Sequence, residues 1–526
     1  MRENIVKGNG QNTAKNLSIV DKFMLWLNDK FTRYKVPFLS SMIVGLLTYM
    51  FMFTNKLPNS DDMEHLFGKG VELTSGRWGL SLMSYIFPDF SMPWIYGIIT
   101  LILISVSVCI TVKIFNIQNK IYQGLLGGLI IAFPSLIKTF NYMFTSTSYG
   151  ISVILAVLSV YFLIKREWYN KVIALAFLVF SVSIYQAYVA ITASFLLIYV
   201  IQMLIKDDDI KDIIKKGIFF VLFLAVSLAV YYGITQIILL LSNQEFNGYA
   251  NNNLDIEYSI LGRIFYVYYY FILVITKNQF YLVPTQISSI LHVVMLLIIA
   301  VEIIVWIFRK KNIIKTLLLG ALLCLFPMAT NCLFLFVGEK AVTTLTLYSF
   351  VSLYVIAFVL LESIGTKMNL RFKNLAEDIV SILMLIIIIT NVYFGNQVYL
   401  SRMLRYENMY SLYISVVTQI KANENFKQGT KIAIIGKSVE MQTAIHEQCK
   451  SNDIEDFDGE SPRPYSYAKF IKYYIGFDAE FATDEEIEQI AQTDEFKNME
   501  RYPYYGSIQK IDDYLVVKFS DLEEAQ

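Results

Sequence analysis

The sequence predicts an all-α polytopic membrane bundle of about 11 transmembrane helices with a small C-terminal α/β domain, and three observations carry that expectation. Hydrophobic residues fill 56% of the 526 positions and charged ones only 17%, too apolar a mix for an ordinary soluble domain. Apolar windows of about 20 residues, long enough to cross a hydrocarbon core of roughly 30 Å as a helix, recur between short charged clusters. From about Leu400 the hydropathy drops, and 14 of the 44 basic residues gather there among Asp and Glu.

The N-terminal segment 1–35 is polar and basic, with no apolar core leading to a small-residue cleavage site, so it is not a signal peptide and the span that follows stays as an anchor. Spans are read at 36–54, 93–115, 121–138, 149–164, 172–186, 187–205, 216–242, 283–308, 313–337, 342–362 and 377–398, a transmembrane region of 36–400. An odd count puts the termini on opposite sides. With the N-terminus cytoplasmic, the inside segments carry 23 Lys and Arg and the outside loops 7, as the positive-inside rule asks. The Tyr- and Phe-rich stretch 260–275 is read as an interfacial or re-entrant element, since aromatic residues favour the headgroup level, with an ordinary span as the alternative.

The tail 401–526 then lies outside. Within it 431–436 reads as a buried strand and turn, 441–449 as the helix that follows, 484–493 as a helix and 514–519 as a strand, a small α/β unit. Lys+Arg and Asp+Glu balance at 44 each, so nothing points to nucleic acid. The four cysteines, Cys109, Cys324, Cys332 and Cys449, have no paired spacing, so neither a disulfide nor a metal site is expected.

Most residues able to do chemistry lie in the first outside loop, 55–92. Asp61 and Asp62 follow the Pro58-Asn59-Ser60 turn at the end of the first span, where a lipid-linked headgroup lies. A carboxylate there can take the proton of an attacking hydroxyl; equally, Asp at a helix start caps free amides, and Met63, Leu66, Phe67 and Val71 have amphipathic spacing. Glu64 and His65 share the segment. Arg77, in Thr74-Ser75-Gly76-Arg77-Trp78-Gly79, has the donor fork that suits a phosphate, or pairs with lipid headgroups. Lys138 with Asn141 and Tyr142, then Tyr185-Gln186, then Lys340 also fall at outside ends of spans. Ionisable and amide groups at that depth are costly unless they face a polar cavity or partner, so their convergence suggests one site. Gln186 breaks a long apolar run, and a tight hairpin turn or an interhelical hydrogen bond would also account for it.

Three stretches in order, Asn59-Ser60-Asp61-Asp62, Ser75-Gly76-Arg77-Trp78-Gly79-Leu80 and Ser183-Ile184-Tyr185-Gln186, resemble the bacterial glucosyltransferase II (Gtr-type) family of GT-C-class membrane enzymes. The Tyr504-Tyr505-Gly506-Ser507-Ile508 run before the last strand is similar to that family's C-terminal part, so the resemblance covers nearly the whole chain. It implies a bacterial plasma (inner) membrane location and transfer of a hexose, glucose first among them, from undecaprenyl phosphate to a surface polysaccharide, with inversion and without a metal or other cofactor. Asp61 becomes the base with Asp62 as orienting partner or substrate ligand, Arg77 and more weakly Lys340 the phosphate ligands. Glu64, Lys138, Tyr142, Tyr185 and Gln186 would line the cavity. The alternatives are a lipid-linked sugar flippase, which would need polar residues along its whole path, and a polysaccharide polymerase or ligase built on the 242–282 loop.

Overall fold

In the computed structural model the described residues are 18–66, 73–87, 91–246, 258–277, 283, 285–338, 342–365, 370–436 and 466–522. Helix α1 (Ile19–Thr54) opens at an Ser18 cap and bends at Tyr34 (φ −113°, ψ 18°), ahead of Pro37. Proline has no N–H for the carbonyl four residues back, and Lys120 Nζ reaches that carbonyl, on Arg33, at 3.5 Å. The helix therefore starts well before the expected span at 36, because its first half is too polar to register as a membrane window.

After two short helices of the first loop, α2 (Ser60–Glu64) and α3 (Trp78–Met83), come α4 (Pro93–Phe115), α5 (Lys120–Ile131), α6 (Pro134–Asn141), α7 (Met143–Leu163), α8 (Trp168–Ile184), α9 (Val189–Ile205) and α10 (Ile210–Leu241). They are followed by α11 (Ile260–Lys277), α12 (Gln286–Lys310), α13 (Ile313–Thr330), α14 (Ser352–Gly365) and α15 (Leu370–Ala422). Among the described residues ten helical stretches are long and apolar enough to cross a membrane, and α5 with α6, bent by 41°, count as an eleventh where the pair is taken as one span. Pro134 sets that break. It starts α6 at a position that needs no N–H, and it holds Phe133 extended (φ −66°, ψ 134°). The chain is a helical membrane bundle.

The 260–275 stretch is a regular helix, α11, whose 18 residues are long and apolar enough to cross a membrane, because Tyr and Phe keep it apolar without the aliphatic density of its neighbours. Asp207 bonds both Lys310 and Lys315 at 2.6 Å, so the start of α10 and the end of α12 share one end of the bundle. The segment between them that carries α11 thus starts and finishes at the other end. Gln118 and Asn119 amides, 3.3 Å from the Glu362 carboxylate, tie two further turns together in the same way.

Close approach between spans uses small residues. A Cβ on Gly127 would sit 2.8 Å from the Pro37 carbonyl, and one on Gly97 2.3 Å from the Phe53 ring, so α1 is wedged between α4 and α5.

Helix α15 runs 53 residues and leaves the bundle without a break. Beyond it three strands, β1 (Lys431–Ile435), β2 (Ile508–Ile511) and β3 (Tyr514–Lys518), form a sheet of order β1-β3-β2 with β1 parallel and β2 antiparallel to β3. The short strand β2 carries exposed Gln509 and Lys510 and has little apolar signal. Helix α16 (Tyr467–Phe470) continues through a π-turn (Ile471–Ile475), and α17 (Asp484–Gln492) starts from a Thr483/Glu486 capping box. The helix expected at 441–449 lies outside the described residues. Met63 of the first loop belongs to the apolar cluster of this α/β part, with Met409, Tyr413, Phe470 and Leu515. That contact seats the C-terminal part on the loop that carries the carboxylates.

Candidate active site

Helix α2 is one turn long and is held by its ends. Asn59 accepts the Asp62 amide at 2.7 Å and the Asp62 carboxylate accepts the Asn59 amide at 3.2 Å, a reciprocal capping box. The other oxygen of Asp62 accepts from Ser91 Oγ at 2.8 Å and from the Phe144 amide at 3.1 Å, at the start of α7. Asp62 is 1% exposed. Burial pushes its carboxyl up to about 6, against the pull of the Arg402 guanidinium and of the three hydrogen bonds. Asp62 thus fastens the loop to α7, while Asp61 beside it is half-buried.

A small cleft opens at this point, lined by Met52, Lys56, Leu57, Pro58, Asp62, Ser91, Pro93 and Met143. Lys56 is lowered by partial burial, with Asp62 opposing the shift. On the C-terminal side Glu64 is ion-paired with Lys469, which also donates to the Glu64 carbonyl at 2.9 Å. The His65 ring lies 5.3 Å from that of Phe144.

A second cluster forms where the 75–80 and 183–186 stretches meet. Gly76 (φ +74°) makes the turn before Arg77, and its carbonyl accepts from the Tyr231 hydroxyl at 2.9 Å. Gln186, opening a 3-10 turn between α8 and α9, donates to the Ser75 carbonyl at 3.2 Å and to Tyr231 at 3.1 Å. The Arg77 guanidinium lies 5.2 Å from the centre of the Tyr185 ring, and Tyr185 stacks on Tyr149 at 4.5 Å. Helix α7 links the clusters: its Phe144 amide binds Asp62 and its Tyr149 supports Tyr185. Five helical residues separate them, a rise of roughly 8 Å.

Residues 50–361 match the glucosyl transferase GtrII family. The chain belongs to that family. It is a membrane glycosyltransferase. The GtrII match takes in both clusters on the bundle and stops short of α15 and the α/β part, which supply Arg402 and Lys469. No curated protein and no solved structure matches the chain.

In this GtrII chain the expected site residues fall into groups. Asp62, Glu64 and Asp61 sit on α2, and Arg77, Tyr185 and Gln186 form the second cluster. Lys138 on α6 is 1% exposed, its ammonium 5.9 Å from the centre of the Tyr142 ring at the α6–α7 joint, two residues before the amide that binds Asp62. Lys340 lies outside the described residues. Among the described residues no group of three or more His, Cys, Asp or Glu is placed to hold a metal ion. Ser91, Lys56, Arg402 and Lys469 are neighbours of this loop that sequence reasoning did not single out. Arg402 and Arg405 had a signal, since both are buried basic residues just past the last apolar window.

The fit of α3 on α8 yields a stability test. A Cβ on Gly79 would meet Ser183 Oγ at 2.1 Å and the Ser183 and Ile184 backbone at 3.0 and 3.1 Å. Gly79→Ala is therefore expected to cost about 1–3 kcal/mol as an overpacking change, read as a lower melting temperature, and Ser183→Ala on top restores only part because the backbone contacts persist. An unchanged melting temperature would refute the close packing.

Proposed function

We propose that this GtrII-family enzyme transfers a hexose, glucose in the first instance, from a polyprenyl monophosphate to a surface polysaccharide on the outer side of a bacterial plasma membrane. The N-terminus is then cytoplasmic, 1–35 is the inner segment, 36–400 the catalytic bundle, and 401–526 lies outside. Asp61 is the base. Its carboxylate takes the proton of an acceptor hydroxyl as that oxygen bonds to the anomeric carbon, and the bond from that carbon to the phosphate oxygen breaks with its electron pair going to the phosphate. Attack opposite the leaving group inverts the centre. The products are the glycoside and polyprenyl monophosphate, and the proton rests on Asp61.

What supports this reading is the contrast within the acidic pair. Asp62 is spent on three hydrogen bonds and is closed to solvent, whereas Asp61, next to it on α2, stays half-buried. Family membership supplies the chemistry that such a base serves. The Arg77–Tyr185–Gln186 wall, about a turn and a half along α7, is within the reach of a lipid-linked sugar.

The test is transfer of labelled glucose from synthetic polyprenyl-phosphate glucose of known anomeric configuration to cell-envelope polysaccharide by the purified protein. Product of opposite configuration, read by NMR, supports the proposal. Retained configuration removes the single-displacement step, and absence of transfer from any polyprenyl-phosphate hexose removes the donor.

A further inference from the structure

Two cations face Asp62 from elements far apart in sequence: Lys56, just past the end of α1, and Arg402, on α15. A third group joins them from the α/β part. Tyr474, in the π-turn after α16, stacks on Phe470 at 5.3 Å and carries the Lys56 ammonium 4.6 Å from its ring centre. It also lies within electrostatic reach of both Asp62 and Arg402. Its hydroxyl oxygen is closed to solvent and makes no hydrogen bond among the described residues. A buried tyrosine hydroxyl ordinarily has a partner, because leaving it without one costs about 1–3 kcal/mol.

Lys56, Arg402 and the Tyr474 hydroxyl are all donors, gathered at the edge of the cleft lined by Lys56 and Asp62, and such a set suits an anion.

We propose that Lys56, Arg402 and Tyr474 hold the phosphate of the lipid-linked donor, so that the C-terminal part completes the active site instead of only covering it. This rests on the polyprenyl-phosphate donor proposed above. The chemistry fits the step. As the anomeric carbon–oxygen bond breaks, a phosphodiester with one negative charge becomes a monoester approaching two, and the added charge develops on oxygens facing two cations and a hydroxyl. Asp61, one residue from Asp62, is then on the acceptor side of the same carbon. Arg77, in the second cluster, faces the sugar.

The experiment measures binding of undecaprenyl phosphate, undecaprenol and inorganic phosphate to the full-length protein in nanodiscs, for wild type, Tyr474→Phe, Lys56→Met and Arg77→Met. Tyr474→Phe removes one oxygen atom and leaves the ring stack. It is expected to bind undecaprenyl phosphate about tenfold or more weakly, as loss of a hydrogen bond to a charged group predicts, with undecaprenol unchanged. Lys56→Met should lose at least as much. Wild-type affinity for Tyr474→Phe and Lys56→Met, together with loss in Arg77→Met, would move the phosphate to Arg77 and overturn the inference while the donor stands. No preference of the wild type for undecaprenyl phosphate over undecaprenol would remove the donor itself. Inorganic phosphate competing as well as the lipid at equal concentration would overturn a lipid-borne source.

Discussion

Asp61→Asn is expected to lower kcat for glycosyl transfer by about 10²–10⁴-fold, the range supplied by a positioned general base, with donor binding and melting temperature close to wild type. Asn matches the shape of Asp and cannot take a proton. Asp61 is half-buried, so water still reaches the changed group. Asp62→Asn should behave differently. The Asp62 oxygens accept from two backbone amides, Asn59 on one side and Phe144 on the other. An amide side chain offers one acceptor and one donor, so whichever way it turns, one of those N–H groups faces an NH₂ and loses its partner. That costs about 1–3 kcal/mol, and the melting temperature falls. Activity then declines with the amount of folded protein. Single-turnover transfer measured beside thermal unfolding separates the two. Transfer intact in Asp61→Asn ends its role as base, and transfer lost in Asp62→Asn at an unchanged melting temperature exchanges the roles.

The same two residues mark how far the sequence could be read. The bundle was legible because each span repeats one physical requirement, about 20 apolar residues per crossing, and the windows at 93–115 and 187–205 match α4 and α9 to within two residues. Helix ends were less so. α1 begins at Ile19 and α15 continues to Ala422 because helix hydrogen bonds do not stop where hydropathy does. Within the site, contacts carried by neighbouring residues were foreseeable. An Asn three positions before an Asp, after a Pro, is a capping pattern, and it is the pattern that holds Asp62. The meeting of 75–80 with 183–186 was suggested only by their likeness to one family's motifs, and Gln186 on the Ser75 carbonyl is the physical reason they belong together. What stayed hidden were the partners that the fold brings from afar. The Phe144 contribution is a backbone amide, which no side-chain pattern announces. Ser91, Arg402 and Tyr474 come from other elements, and nothing local to Asp62 selects them.

Acid is expected to stabilise the fold and to slow the reaction in one pH window, because both respond to Asp62. Its carboxyl titrates at about 6 in the folded chain and at the ordinary 3.8 when exposed. Between those values the folded protein holds the proton more tightly than the unfolded one, so stability falls as pH rises from about 4 to about 6 and is level above. The full difference is about 3 kcal/mol, at about 1.4 kcal/mol per tenfold change. Asp207, held down to about 2 by Lys310 and Lys315, and Glu486, held down to about 2 by Tyr514 and Lys431, act with the opposite sign. They weaken the fold only as pH drops below their ordinary 3.8 and 4.5, so they do not oppose Asp62 at pH 4.5–6. Protonated Asp62 gives up one of its acceptor positions and its attraction to Arg402, which loosens α2 and carries Asp61 out of register. Transfer should therefore drop about tenfold for each pH unit below about 6, while the melting temperature rises from pH 6 to pH 5. In Asp62→Asn the rise should vanish. Transfer and melting temperature falling together on acidification, or a wild-type rise that persists in Asp62→Asn, would show that another group sets the window.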